Sequence, residues 1–229
     1  MNRILYEDNH LIAINKLPGE IVQGDKTGDV TLAEDVKSYL KEKYNKPGNV
    51  YLGIPHRLDR PTSGIVLYCK TEKALVRMNQ AFKDGNIDKY YVAICDHGLP
   101  DTQGTLLHYV YRDSVKNKSF ACKSPKPSAQ EARLEYVQLA QSDRYALLQI
   151  HLLTGRHHQI RAQLAACGVH IKGDLKYGFP RSNPDGGICL HSWKMSFSHP
   201  VTREEITITA PVPSNPLWDY FSFFLAACH

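Results

Sequence analysis

The order of the predicted elements along the chain most constrains its fold. Strand-like segments outnumber helical patterns, and they do not alternate with helices as β-α-β units would. Strand patterns fall at 4–6, 11–15, 65–69, 90–95, 133–139, 145–153 and 205–210. Helical patterns begin near Thr31, Thr71, His158 and Leu217. This order predicts an α+β fold with a largely antiparallel sheet rather than a doubly wound one.

Composition indicates an ordinary globular chain forming a single domain over residues 1–229. Of its residues 42% are hydrophobic and 22% charged, which excludes a disordered chain, collagen and a coiled coil. No apolar run is long enough to span a membrane, and the first ten residues contain no apolar signal core. The six cysteines form no C-x-x-C pair, so we expect no zinc site and a reduced, cytoplasmic setting.

Positive charge is concentrated in two stretches. The net charge is +5, from 28 Lys and Arg against 23 Asp and Glu, and the stretches are 112–133 and 156–181. They could form one face that follows a phosphate backbone, or they could be separate solvated loops. Within the first stretch, 116–128 is expected to be a loop or the tip of a long hairpin.

The segment 56–64, His-Arg-Leu-Asp-Arg-Pro-Thr-Ser-Gly, concentrates polar residues directly before a strand. Asp59 lies between Arg57 and Arg60, which favour its anionic form, so it could act as a nucleophile or a base. The remaining turn-forming or hydroxyl residues are expected to hold the turn and bond its backbone: Pro61, Thr62, Ser63 and Gly64. A plain surface loop is the alternative interpretation.

The segment 153–161 is predicted to be a strand end that turns into a helix. Gly155 permits an unusual backbone angle there, and the helix N-terminus suits a phosphate. Arg156 and Arg161 carry the permanent charge, and Arg161 is placed to pair with a buried carboxylate. Adjacent His157 and His158 diverge on a helix, so a metal site is not indicated.

Two adjacent tyrosines lie on the strand predicted at 90–95. Alternation places Tyr91 with Ala93 on one face and Tyr90 with Val92 on the other. One ring could be offered to a flat ligand while the other packs in the core. Both rings could equally be structural.

Together these segments carry a family resemblance. H-R-L-D-x-x-T-S-G at 56–64, K-x-Y-x-A at 89–93, T-G-R-x-H-Q-I-R at 154–161 and G-D-x-x-Y-G at 173–178 resemble the successive motifs of the RluA-type pseudouridine synthases. The match is collinear from about residue 4 to residue 213. It implies the pseudouridine synthase catalytic fold, a bent mixed sheet with RNA across a basic cleft, and isomerisation of uridine to pseudouridine without a metal or nucleotide cofactor.

The resemblance also assigns residues. Asp59 matches the catalytic aspartate, Tyr91 the tyrosine that stacks on the target base, and Arg161 the basic residue that pairs with the aspartate. Arg57 matches the arginine that can fill the space left by the flipped uridine. The residues expected to contact RNA or substrate are His56, Arg57, Arg60, Thr62, Arg156, His158, Gln159 and Ile160. The expected partner is ribosomal or transfer RNA, with no membrane, and the expected state is a monomer.

The chain departs from the family pattern in several places. Many relatives carry a small RNA-binding domain before the catalytic one, whereas the first strand here is predicted at about residue 4. Target choice would then come from the catalytic domain or from 112–126. His157, Gln163 and His170 differ from the commoner residues. The tail 214–229 lies beyond the resemblance and is expected either to pack as a helix or to form a partner surface.

Two other classes of function compete with the isomerase. An RNA-binding or assembly factor could keep the fold without chemistry, although it would not need a buried carboxylate–arginine pair. A glycoside hydrolase would need a second acid near Asp59. Glu72 and Asp174 are the candidates nearest in sequence, and neither is expected where a paired acid would lie.

Overall fold

The computed structural model of the chain describes residues 2–24 and 29–226. The strands are β1 (Ile4–Glu7), β2 (Leu11–Lys16), β3 (Ser63–Cys69), β4 (Ile87–Cys95), β5 (Gln103–Asp113), β6 (Lys118–Cys122), β7 (Gln130–Gln141), β8 (Ala146–Leu152), β9 (Leu190–Ser198) and β10 (Glu205–Thr209). The helices are α1 (Leu32–Lys43), α2 (Glu72–Asp84), α3 (Gln159–Ala166) and α4 (Pro216–Ala226), with a short 3₁₀ turn at Leu175–Tyr177.

These strands form one sheet in the order β1-β2-β3-β9-β4-β8-β7-β5-β6, with β10 added on β9. Within the described residues the pairing of β3 with β9 is parallel and the other strand pairs are antiparallel. Irregular register interrupts the β1–β2, β4–β9 and β7–β8 pairs, and such irregularities bend a sheet. The α+β class and the mixed, largely antiparallel sheet are confirmed.

Local signals in the sequence account for the helix ends. The Thr31 side chain accepts from the Glu34 backbone, and Glu34 bonds back to the Thr31 N–H, forming the reciprocal cap expected before α1. Thr71 caps the N-terminus of α2, where its side chain accepts the Ala74 N–H. Gly85 ends α2 with a φ of +76°, in the left-handed region that glycine adopts without strain.

Apolar residues are buried on both faces of the sheet. On one face α1, α3 and α4 contribute Val36, Leu164 and Phe221 to a large cluster. On the other face α2 contributes Ala74 and Met78 to a smaller cluster.

Two segments that the sequence left open have definite structures. The 116–128 segment is not a loop throughout, because it contains β6, which forms a hairpin with β5 around a turn at 114–117. The tail packs as α4, burying Trp218, Phe221 and Leu225. Residues 227–229 lie outside the described residues. Within 2–24 and 29–226, no helix combines the length and the apolar character needed to cross a membrane.

Candidate active site

Asp59 lies in a turn before β3 that a buried lysine holds in place. The Thr62 N–H donates to the Asp59 carbonyl at 3.0 Å, closing the turn. The Lys16 ammonium donates to the carbonyls of Leu17, Arg60 and Thr62 at 3.0, 2.9 and 2.6 Å, which uses all three of its N–H groups. Burial lowers the pKa of Lys16 to about 8, because the charged form loses its hydration there.

Gly64 allows β3 and β9 to approach closely beside this turn. Its φ is +110°, and a Cβ at this position would lie 2.2 Å from the Ser192 carbonyl oxygen. A side chain is therefore excluded both by the backbone angle and by space. The neighbouring Ser63 hydroxyl bonds His191 Nδ1 at 2.8 Å. The expectation that Thr62 and Ser63 bond the turn's own backbone through their hydroxyls was wrong, since Thr62 Oγ1 has no partner within the described chain.

Arg161 joins Asp59 to a second carboxylate, Asp174. Its Nε and Nη2 donate to the two Asp174 oxygens at 2.7 and 2.8 Å, and its Nη1 donates to Asp59 Oδ2 at 3.0 Å. The Arg161 and Asp174 side chains are 5% and 1% exposed, whereas Asp59 is 27% exposed. Burial alone would lower the pKa of Arg161, but the bonds and charge of Asp174, with help from Asp59, raise it. The guanidinium is thus a permanent cation in a fixed plane.

Asp174 lies across Arg161 from Asp59, but its side chain is 1% exposed and bound to Arg161, so it is not open to a substrate as a second glycosidase acid would be. Asp174 and Tyr177 are three residues apart on a 3₁₀ turn, where side chains at this spacing lie on the same side. The Tyr177 ring accordingly lies 4.8 Å from the Arg161 guanidinium carbon. The G-D-x-x-Y-G motif contained this signal, but only the fold shows that its aspartate and tyrosine face Arg161.

His158 lies between Asp59 and Tyr177. Its Nε2 is 3.5 Å from Asp59 Oδ2, and its Nδ1 is 2.9 Å from the Tyr177 hydroxyl. That hydroxyl also accepts the Ser119 N–H at 2.8 Å. Burial, partly opposed by Asp59, lowers the pKa of His158 to about 3, so the ring is neutral. The Tyr177 hydroxyl and the Asp59 carboxylate thus face the two different nitrogens of the His158 ring.

Tyr91 supplies the aromatic side of the site from β4. Its side chain is buried, and its partner across the β4–β9 pair is Ser192, the same β9 residue that pairs with Gly64 of β3. Burial raises the pKa of Tyr91 to about 12, with the negative charge of Asp59 adding to the shift and the Ser192 hydroxyl opposing it. Tyr91 is therefore a neutral phenol at physiological pH. Tyr90 instead stacks on His151, with ring centroids 4.5 Å apart.

Four residues expected to contact RNA are instead buried or bonded within the fold. His56 Nε2 accepts the Leu67 N–H at 2.9 Å and its ring stacks on Phe82 at 4.8 Å. Thr62 and Ile160 are buried, Ile160 in the main core. The buried Gln159 amide accepts from the Arg156 N–H and donates to the Arg133 carbonyl. We therefore leave these four out of the RNA-contacting set proposed below.

Of the other predicted RNA-contacting residues, His158 has a side chain only 8% exposed, and the three arginines are closer to solvent. Arg57 is exposed. Arg60, also exposed, donates to the Gly19 carbonyl at 3.1 Å and pairs with Asp29 at 3.2 Å. Arg156 is partly buried, and its Nε donates to the Glu131 carbonyl. Across residues 2–24 and 29–226, no cluster of three or more His, Cys, Asp or Glu side chains could hold a metal ion.

Comparison with known proteins supports the resemblance. Residues 10–166 match the family described as RNA pseudouridylate synthase. The ribosomal large subunit pseudouridine synthase C of Buchnera aphidicola subsp. Acyrthosiphon pisum is 33% identical over 224 residues, covering 93% of this chain and 68% of the relative. The ribosomal large subunit pseudouridine synthase D of Zymomonas mobilis is 29% identical over 222 residues, covering 93% and 69%.

Solved structures show the same fold. Human RNA pseudouridylate synthase domain containing 4 superimposes with a TM-score of 0.78 at 21% identity, covering 98% of this chain and 92% of the other. Human RNA pseudouridylate synthase domain containing 1 gives a TM-score of 0.70 at 22% identity, covering 95% and 86%. From the family match over more than half of its length and the relative at 33% identity, the chain belongs to the RluA-type RNA pseudouridine synthases, which are isomerases.

Proposed function

We propose that this chain isomerises uridine in the RNA of the large ribosomal subunit, with Asp59 as the essential catalytic group. The choice of RNA is supported by the names of its relatives from Buchnera and Zymomonas, which are large-subunit enzymes. The role of Asp59 is supported by the geometry of its carboxylate. Transfer RNA, the other substrate expected from the sequence, is a separate outcome of the test below.

The observation that carries the proposal is the unequal environment of the two Asp59 oxygens. Oδ2 accepts from Arg161 and faces His158, whereas Oδ1 has no hydrogen-bond partner within the described chain. The Arg161 guanidinium holds Oδ2 at 3.0 Å. One oxygen is thus anchored, and the other is available to a substrate that enters the partly open side of the site.

The reaction needs no oxidant or external group. The N1–C1′ bond of the uridine breaks, the base rotates, and C5 forms a new bond to C1′. The proton on C5 then leaves and N1 regains a proton, so atoms and electrons balance. Asp59 Oδ1 either attacks the substrate directly or removes a proton from the sugar, and both routes use the same free oxygen.

Tyr91 and Arg57 assist by accommodating a flipped nucleotide. Extruding a base from a stack costs a few kcal/mol, and stacking on an aromatic ring returns about 1–3 kcal/mol. The neutral, buried Tyr91 ring beside the carboxylate suits this stacking. Arg57 is exposed and belongs to the same turn as Asp59, which places it to fill the vacated position. Arg60, Arg156 and His158 complete the proposed RNA-contacting set.

The test uses RNA transcripts carrying tritium at C5 of uridine, because formation of the C5–C1′ bond releases that label to water. We expect wild-type protein to release label from large-subunit ribosomal RNA and not from a transfer RNA pool. Release from transfer RNA alone would contradict the proposed substrate. Binding of ribosomal RNA without release from either RNA would instead support the non-catalytic binding factor.

A further inference from the structure

A pocket of about 220 Å³ lies beside the active site, between the β5–β6 hairpin and the turn that leads into α3. Its polar lining residues are Arg112, Ser119, Ser128, Gln130, Arg156 and His157. The two basic stretches of the sequence therefore meet here, one supplying Arg112 and the other Arg156. The lining contains no acidic residue. Its volume is below the roughly 300–1,000 Å³ of drug-sized ligand pockets, which favours a small group.

Both arginines keep donors available to a ligand. Arg112 uses one terminal amino group to bond Asn117 Oδ1 at 2.8 Å. Arg156 uses its Nε to bond the Glu131 carbonyl at 2.9 Å. Within the described chain the remaining guanidinium donors of both residues have no hydrogen-bond partner. Two guanidinium groups that are each fixed by one hydrogen bond and keep their other N–H donors form a strong site for the oxygens of a phosphate.

His157 connects this pocket to the catalytic carboxylate. Its ring stacks on His158 with centroids 3.8 Å apart, and the Nε2 of His158 lies 3.5 Å from Asp59. On the other side, His157 Nδ1 bonds the Ser119 hydroxyl at 2.8 Å. The His158 ring therefore separates His157, which lines the pocket, from Asp59, the group that would meet the flipped uridine. A ligand held here would belong to the same RNA strand.

We propose that this pocket binds a phosphodiester of the RNA next to the target uridine, and that His157 takes up a proton when the phosphate binds. The inference rests on the proposed function, since it assigns a contact to that same RNA. Arg112 and Arg156 would bind the phosphate oxygens. His157 would then add a third positive charge on the side that faces the catalytic carboxylate.

The surroundings of His157 explain why protonation would follow binding. Burial lowers its pKa, and the positive charges of Arg112, Arg161 and Lys176 lower it further, while Asp59 opposes them. His158, stacked against it, is neutral. A bound phosphate would offset the arginine charge and raise the pKa of His157. Its bond to Ser119 survives protonation, because a hydroxyl can either donate or accept.

The test compares R112Q and H157Q with a control, R144Q, in binding a large-subunit ribosomal RNA transcript. Arg144 is exposed in the β7–β8 turn, beyond the far end of β7, whose length from Gln130 to Gln141 is roughly 35 Å at the usual rise. At pH 7.5 we expect R112Q to weaken binding about tenfold, as loss of one charged hydrogen bond implies, and to reduce the salt slope by about one. R144Q should leave the binding affinity within about twofold of wild type and the salt slope unchanged.

The proton uptake is read from the pH dependence of binding. Wild-type affinity should rise about fivefold from pH 7.5 to 6.0, within the limit of tenfold per pH unit for one proton, and H157Q should remove most of this rise. Thermal melting checks that each variant is folded. Tritium release by R112Q should show an increase in KM that matches its loss of RNA affinity, whereas the KM of R144Q should stay near wild type.

The outcomes separate the two proposals. Normal wild-type turnover with an unchanged salt slope in R112Q would overturn the phosphate pocket and leave the proposed function standing. A pH response that is the same in H157Q and wild type would overturn the proton uptake. Absence of both turnover and binding in wild-type protein would overturn the proposed function itself.

Discussion

Replacing Asp174 by asparagine should damage stability and catalysis together, although Asp174 is closed to substrate. The Asp174 side chain is 1% exposed and accepts two bonds from Arg161, which is itself 5% exposed. In D174N one of these acceptors becomes an amide donor facing a buried guanidinium. Arg161 would then reorient toward Asp59, its remaining anionic partner, and engage the oxygen that is otherwise free.

The expected loss of stability in D174N follows from the burial of the Asp174–Arg161 ion pair. Removing one partner of a buried ion pair costs about 3–5 kcal/mol. Asparagine keeps one acceptor and Asp59 keeps part of the charge balance, so we expect about 3 kcal/mol, at the lower end of that range. For a chain of this size that corresponds to a fall in Tm of about 6–12 °C. Turnover should fall as well, because the plane of Arg161 is no longer fixed.

D59N is the matched comparison at the other end of the same guanidinium. Asp59 is 27% exposed and receives one bond, and Arg161 retains Asp174 in this variant. A loss of at most about 1 kcal/mol is expected, or a Tm within about 4 °C of wild type. Thermal melting compares the stabilities of the two variants. Tritium release is then measured on the same preparations at a temperature below both Tm values. Greater destabilisation by D59N than by D174N, or full activity of D174N, would refute this reasoning.

Three further predictions follow from the same structure. G64A should destabilise the fold by more than about 3 kcal/mol in a denaturant titration, because its Cβ meets the Ser192 carbonyl, whereas G48A, with a φ of +81° in open space, should cost only about 1 kcal/mol. Equal losses would show that backbone angle alone matters. Y91F should keep KM within about threefold, while Y91A should raise it by about 5- to 150-fold, as loss of stacking implies, and equal KM values would argue against a stacking role. The pKa values of His158 and His191, lowered to about 3 and about 4 chiefly by burial, are below those of the unfolded chain, so stability should decline as pH falls below about 6.5. A flat melting temperature between pH 7 and 5 would contradict this.

Some parts of the fold and the site could be predicted from the sequence. The Asp59–Arg161 pairing, between residues 102 apart in the chain, was implied by the family resemblance, and the structure brings the two groups together at 3.0 Å. The start of α1 and both ends of α2 followed from Thr31, Thr71 and Gly85, since caps act within a few residues.

Other parts depend on tertiary contacts that no local pattern encodes. His56 was expected to contact RNA, but β3 pairs with β9 only at Ser63 and Gly64, which leaves the Leu67 N–H for His56 to accept. Asp174 was missed because its partner, Arg161, approaches it only after the 3₁₀ turn packs against α3.

The most direct test of the account is single-turnover tritium release by D59N at RNA concentrations above its measured Kd. The free oxygen of Asp59 is the reactive group in this account, so D59N should bind the large-subunit transcript within a few-fold of wild type and release no label. Release by bound D59N at the wild-type rate would contradict the central role of Asp59.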